Sequence, residues 1–455
     1  MTVNKPQKLN RLGNNDSPQR GQSGPLRMPH EVDWYPPPIS SLEDTGLTKL
    51  WLADLVLKII YSGGDMTGSQ VSKVVRLPFT GILDKILSFL KQEKLIEVVA
   101  GGGFNEAGFR YQITDLGANK AREALDRSQY ADSAPVPVDQ YIAAIKAQNV
   151  KRPPVRQQQL RGLMTNLVIA DEMLTKVGPA VNSGRAIFLY GPPGNGKTTI
   201  AERVGEMILG RDMWIPYAVD VNGQVVQLYD QINHVLSEDP PEINLGTGMV
   251  ADPRWVCIKR PMIVVGGELT MAGLDLVYDP VNKFYEAPFQ MKAIGGMFLI
   301  DDFGRQQVSP VELLNRWIVP LETGVDFLTL NNGRKFSIPF FVMTIFSTNL
   351  DPKDLVDEAF LRRIRHKIEV GNPTIQQFRE IFEIMCRIKN VPFSEDGLKY
   401  LIKEWYIKHD RDMRMVHPRD ILSQMQDIAG YLDVPADMGN RELIDRAAAS
   451  YFVEL

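Results

Sequence analysis

The octapeptide Gly191-Pro192-Pro193-Gly194-Asn195-Gly196-Lys197-Thr198 limits the folds open to this chain more than any other stretch of its 455 residues. The apolar run Ala186-Ile187-Phe188-Leu189-Tyr190 precedes it and reads as a buried parallel strand. Thr199-Ile200-Ala201-Glu202-Arg203 follows and opens a helix. A strand, a G-x-x-x-x-G-K-T loop and a helix, in that order, make a phosphate-binding unit. The glycines Gly191, Gly194 and Gly196 let the backbone curl so that its N–H groups point inward at phosphate oxygens. The helix N-terminus adds a favourable partial charge. Lys197 is suited to bridge the β- and γ-phosphates, and Thr198 to ligate Mg²⁺. Pro192, Pro193, Asn195 and Thr199 complete the expected binding loop. The chain is therefore expected to be an α/β protein that binds ATP and Mg²⁺.

Further polar groups stand at the ends of apolar runs. Met297-Phe298-Leu299-Ile300-Asp301-Asp302 reads as a buried strand with two carboxylates at its C-terminal end, where open α/β sheets place their ligands. Asp301 is expected to hold Mg²⁺, directly or through water, and Asp302 to polarise the attacking water. Val342-Met343-Thr344-Ile345-Phe346-Ser347-Thr348-Asn349 is another such strand. Its Asn349 can hydrogen-bond a γ-phosphate or the lytic water. Asp357-Glu358-Ala359-Phe360-Leu361-Arg362-Arg363-Ile364 ends a helix on two arginines far from the phosphate loop in sequence. Such arginines suit a finger that reaches into another subunit's site and stabilises transition-state charge. In His417-Pro418-Arg419-Asp420 a helix begins, and Arg419 is a candidate to reach the γ-phosphate.

The order of these motifs resembles that of the AAA+ ATPases. The resemblance spans roughly residue 157 to the C-terminus. It implies Walker A at Gly191–Thr198, Walker B at Phe298–Asp302, sensor 1 at Asn349, an arginine finger at Arg362 or Arg363, and sensor 2 at Arg419. It also implies a parallel-sheet nucleotide domain, a small helical lid, and a homo-oligomeric ring, usually a hexamer, whose sites are shared between subunits. Phe284-Tyr285-Glu286-Ala287 and Gly295-Gly296 look like the corresponding stretch of bacterial enhancer-binding ATPases. Phe327 to Phe336, with Asn332-Gly333 as its turn, is an expected hairpin. It resembles the hairpin before sensor 1 that groups enhancer-binding with MoxR-like ATPases. Residues 239–283 are then expected to hold inserted loops facing a pore, with Tyr278, Phe284 and Tyr285 either gripping a client or packing internally. Two departures stand out. Asp302 occupies a position where most relatives have Glu, which suggests slow hydrolysis or a switch. No Gly-Ala-Phe-Thr-Gly-Ala loop is present, which argues against engagement of a sigma factor.

Upstream, residues 45–127 offer three helical periodicities, then the strand-like Leu95 to Val99, the glycines Gly101-Gly102-Gly103, and the return strand Phe109 to Ile113. This order resembles a winged-helix domain. Its third helix sets Lys85 and Lys91 against Asp84 and Glu93, which leaves few net positive charges for phosphates. Protein docking is favoured over DNA. The expected division is a disordered arm at 1–44, a winged-helix domain at 45–127, a linker at 128–156 with a short helix from Tyr141 to Gln148, an AAA+ nucleotide-binding α/β domain at 157–372 and a helical lid at 373–455. Within the arm, Trp34 and Tyr35 are the residues suited to dock. The net charge of −4 gives no global reason to expect nucleic acid or an anionic membrane. Two cysteines and five scattered histidines suggest neither a disulfide framework nor a zinc site. No apolar run has the length of a membrane span and the N-terminus is polar, so a cytoplasmic protein is expected. The favoured function is an ATP-hydrolysing ring that remodels a protein partner. The alternatives are a DNA-associated regulator or loader and a slow ATP-dependent assembly switch.

Overall fold

A computed structural model describes residues 34–452, apart from 102–105, 150–153, 165–166, 209–211, 241–249 and 356–360. Part of the expected arm is folded. Trp34 sits edge-on against Trp255, with ring centres 5.2 Å apart. Ile39 is buried, and Ser41 and Asp44 cap a helical turn at Leu42–Thr45. The polar composition of the first 33 residues does not extend to Trp34 and Ile39, whose burial offsets the ordering cost.

The next helix, Lys49–Gly63, is capped by Thr48 and buries Leu52, Leu55, Val56 and Ile59. Strand β1 (Met66–Thr67) leads into helix Gly68–Val75, which starts on a capping box of Thr67 and Gln70. Helix Asp84–Gln92 buries Ile86, Leu87 and Leu90. Strands β2 (Ile96–Gly101) and β3 (Phe109–Ile113) pair antiparallel, and β1 adds to β3. The tip that contains Gly102 and Gly103 lies outside the described residues. Thr114 then caps helix Asp115–Arg127.

The stretch expected to be a linker with a short helix does hold a helix, and it packs into a core. It contains β4 (Val136–Pro137) and helix Val138–Gln148, whose Tyr141 and Ile145 are buried in the largest apolar cluster. Its apolar residues recur on one helix face, and that face has a surface to cover.

The strands that follow are β5 (Ile187–Tyr190), β6 (Asp212–Pro216), β7 (Ala218–Val221), β8 (Gln224–Gln227), β9 (Trp255–Lys259), β10 (Met262–Val265), β11 (Val277–Asp279), β12 (Phe284–Glu286), β13 (Met297–Ile300), β14 (Val325–Thr329), β15 (Lys335–Pro339), β16 (Met343–Thr348) and β17 (His366–Glu369). Five of them form a parallel sheet in the order β10-β13-β16-β5-β17. Alternation along the strands fills both faces. Phe188, Phe298, Ile300 and Phe346 enter one core, while Ile187, Leu189, Leu299 and Ile345 enter the other. This arrangement, with the phosphate loop at the C-terminal end of β5, is a P-loop α/β fold.

A second sheet has the order β11-β12-β8-β7-β4, and β6 pairs with β9. The region 239–283 is thus not simply a set of loops. It supplies β9, β11 and, in β10, an edge strand of the parallel sheet; residues 241–249 lie outside the described residues. Tyr285 is buried and bonds Asn331, Tyr278 packs against Tyr285, and Phe284 packs against Tyr130. These aromatics pack internally rather than face a pore. The expected hairpin forms as β14 and β15, with Gly333 at φ 79° in its turn.

The second sheet also receives the N-terminal helices. Ala218 and Val225 belong to the same cluster as Leu52, Val71 and Leu87. Arg76 lies over the Tyr217 ring at 3.8 Å. The buried Arg254 pairs with Asp252 at 2.7 Å and donates to the carbonyls of Thr45 and Pro135. Beyond β17 come helices Ile375–Lys389, Glu395–Leu401, His417–Leu432 and Arg441–Tyr451. They close around Phe378, Phe382, Tyr406, Ile421 and Met425.

Candidate functional site

Strand β5 ends at Tyr190, and helix Lys197–Ile208 begins six residues after Gly191. The loop between them turns on Gly191 (φ 133°), Gly194 (φ 76°) and Gly196 (φ 78°). A Cβ on Gly191 would stand 2.4 Å from the Val370 carbonyl oxygen, so the close approach of β5 and β17 also demands glycine there. A Cβ on Gly196 would meet nothing within 4 Å, because the loop is open on that side. Pro193 and Gly194 are exposed, while Gly191, Pro192, Thr198 and Thr199 are half-buried.

Lys197 is 6% exposed. Its ammonium donates to the carbonyls of Gly191 and Pro192, each at 2.9 Å, and to Asn349 Oδ1 at 2.6 Å. Burial lowers its pKa, the carboxylates of Asp301 and Asp302 raise it, and Arg414 lowers it further. Thr198 Oγ1 donates to Asp301 Oδ2 at 2.7 Å. Asn349 Nδ2 donates to Asp302 Oδ1 at 2.9 Å. Residues more than 100 positions apart are thereby joined in one network. The sheet explains why: β13 and β16 are neighbours in register, Ile300 opposite Phe346, so both runs deliver their polar ends beside β5. Phe303 N–H to the Ser347 carbonyl at 2.7 Å and Thr348 Oγ1 to the Phe303 carbonyl at 2.7 Å fix the turn behind the carboxylates. Asp302 itself has a left-handed backbone, φ 48°.

This donor set fits a triphosphate with Mg²⁺. The open loop, the inward ammonium, and a hydroxyl bonded to a carboxylate are the groups that such a ligand uses. Among the described residues no cluster of three His, Cys, Asp or Glu could hold a metal. Mg²⁺ here would draw on Thr198, Asp301 and phosphate oxygens together.

The arginines are placed differently from these groups. Arg362 is exposed, and Arg363 pairs with Glu322. Neither is among the groups that bond to or charge-couple with Lys197. Residues 356–360 of that motif lie outside the described residues. Arg419 is exposed and pairs with its neighbour Asp420 at 2.8 Å. The segment that meets the loop is Arg414–Val416. Val416 N–H donates to the Gly194 carbonyl at 2.9 Å, and Met415 N–H to Asn195 Oδ1 at 3.1 Å. Asn195 is fully buried, and its Nδ2 donates to Asn372 at 2.9 Å. Its side chain thus ties three segments together. Asn372, Arg414 and Val416 were not evident from motif order. The one available signal was an amide in a loop otherwise built of Gly, Pro, Lys and Thr.

Residues 374–450 match the family described as Domain of unknown function (DUF8689). No curated protein matches the chain. Among solved structures, the chain is similar to NtrX from Brucella abortus in complex with ADP: 12% identity, TM-score 0.38, covering 71% of this chain and 64% of that one. It is also similar to the RuvB Holliday junction branch migration motor of Thermotoga maritima: 13% identity, TM-score 0.35, covering 67% of this chain and 74% of that one. The chain spans less than two thirds of the NtrX chain. No helix among the described residues is long and apolar enough to cross a membrane.

Proposed function

We propose that the chain is an ATP-binding and ATP-hydrolysing AAA+ ATPase that works as a homo-oligomeric ring, a hexamer, and remodels a protein partner. The observation that carries this reading is the network of Lys197, Asn349, Asp302, Asp301 and Thr198 at the mouth of the phosphate loop. Lys197 would hold the β- and γ-phosphates, and Thr198 and Asp301 would hold Mg²⁺, which would supply charge neutralisation at the phosphoryl group. Asn349 orients Asp302, and Asp302 polarises the attacking water as a general base. Asp302 is one methylene shorter than glutamate, so slow turnover is part of the proposal.

Arg362 is the favoured finger. It is exposed, as an arginine serving a neighbouring subunit must be before assembly, whereas Arg363 is engaged by Glu322. The hairpin β14–β15, just before β16, supports placement in the branch shared by enhancer-binding and MoxR-like ATPases. Residues 45–127 act as a winged-helix adaptor for the client. The groove along helix Asp84–Gln92 is lined by Lys49, Lys85, Asp84 and Glu106, a balanced set that suits protein better than a phosphate backbone. Residues 373–455 form the lid of the nucleotide site, and the protein is cytoplasmic.

Equilibrium binding and steady-state hydrolysis of Mg-ATP by the full chain test this reading. Saturable ATP binding that Lys197→Ala abolishes supports it; wild-type protein that binds no ATP refutes it. An Asp302→Asn form loaded with ATP should retain the client in a pull-down, and recovery of duplex DNA alone would favour the loader reading.

A further inference from the structure

The turn that follows β13 holds Asp302 in a conformation that needs outside support. Its φ of 48° is left-handed, and Gly304, two residues on, has φ 101°. A left-handed backbone is disfavoured for a residue with a Cβ and persists where its surroundings over-determine it. The Asp302 carboxylate accepts from Asn349 Nδ2 at 2.9 Å. An aspartate has a single methylene between backbone and carboxylate, so the backbone angles at Asp302 largely decide where that carboxylate points.

Several groups hold the turn. Phe303 is wedged against Phe188 and Phe346, with ring centres 5.9 Å and 5.3 Å from its own. Its N–H and carbonyl are bonded to Ser347 and Thr348 of β16. The Arg305 N–H donates to the Asp302 carbonyl at 2.9 Å. The peptide that enters Asp302 has its N–H on the adjacent Asp301 carboxylate. Gln306 reaches both ends of the bend. Its Nε2 donates to the Asp301 carbonyl at 2.9 Å, and its Oε1 accepts from the Gly304 N–H at 2.8 Å. The first partner belongs to the peptide before Asp302 and the second to the peptide after Phe303. Rotation at Asp302 changes the separation of those two peptides, and the amide that bridges them resists it. A carboxamide offers a donor and an acceptor on one planar group, whereas a carboxylate lacks the donor. Gln306 is half-buried, which limits competition from water for both bonds.

We propose that Gln306 is a positioning residue for the hydrolytic step: its side-chain amide locks the left-handed turn that aims the Asp302 carboxylate at Asn349, and it acts on turnover rather than on nucleotide binding. The inference rests on the ATPase reading above and deepens it.

The test compares steady-state hydrolysis of Mg-ATP with equilibrium ATP binding in the full-length chain. Gln306→Ala and Gln306→Met should lower kcat about 10- to 100-fold, the scale of a displaced reacting group, with ATP affinity within about twofold of wild type. Gln307→Ala, at an exposed neighbour, should turn over as wild type. In an Asp302→Asn background, Gln306→Met should cause no further fall, because its effect passes through the carboxylate. Unaltered kcat in Gln306→Met overturns the inference. So does a loss of affinity as large as the loss of kcat, or an additive loss in the double variant, since either shows a role spread over the whole site. Thermal unfolding is read for each variant. The methionine variant keeps the volume of the side chain and gives the reading if the alanine variant unfolds; unfolding of both overturns the inference, because the amide then holds the domain rather than aiming a carboxylate. If turnover depends on Lys197 and Asp302 but not on Gln306, this inference alone fails. If wild-type protein does not bind ATP, the site reading fails and takes this inference with it.

Discussion

Lys197 concentrates the chemistry of the site in one side chain. It is buried, bonded to two loop carbonyls and joined to Asn349. Lys197→Ala should raise the dissociation constant for ATP by at least about 100-fold, read by equilibrium titration. Asp302→Asn removes the base but keeps an oxygen for Asn349. Turnover should fall about 100-fold or more while ATP affinity stays within about twofold, by comparison of steady-state rate with binding. Arg362→Ala should lower turnover with ATP affinity intact, and mixing it with Lys197→Ala subunits should restore part of the rate. The motif residues Gly191, Lys197, Thr198, Asp301 and Asn349 were legible in the sequence because their chemistry fixes their types and spacing. The clip made by Asn195 was not legible. It depends on Asn372 and Met415, which only the folded chain brings to it.

At the scale of elements, strand-to-helix alternation exposed most of the parallel sheet, since β5, β13 and β16 are short apolar runs that end in polar residues. β10 escaped because Met262–Val265 carries no polar group at its end, and its neighbours read as an insertion. The start of helix His417–Leu432 gives a pH prediction. Burial pushes the His417 imidazole down to about 4; Arg414 lowers it too, and Asp420 opposes them. An unfolded histidine takes its proton near 6.5. The folded state therefore keeps this contribution fully above about pH 6.5 and loses it progressively as pH falls toward about 4. The melting temperature should drop between pH 7 and pH 5, and the drop should be smaller in His417→Gln, measured by thermal unfolding of both.

The whole molecule is joined by contacts that no local pattern announces. The N-terminal helices share a core with Ala218 and Val225, and Arg254 is fully buried between Asp252, Thr45 and Pro135. Residues 128–156 read as a linker because Pro135 and Pro137 suggest an extended tether, yet β4 and Tyr141 are locked into two layers. Arg254→Ala leaves Asp252 buried without its partner and should cost about 3–5 kcal/mol of stability. A shift in denaturant midpoint would show it, accompanied by faster proteolysis between residues 45 and 135.

The same guanidinium imposes an order on how the protein is made. The 209 residues between Thr45 and Arg254 take roughly 10 to 40 s to synthesise at about 5–20 residues per second. For that interval the N-terminal helices leave the ribosome without the sheet that will cover them. The nascent chain thus has to shield an apolar face from its neighbours on the polysome until Arg254 emerges.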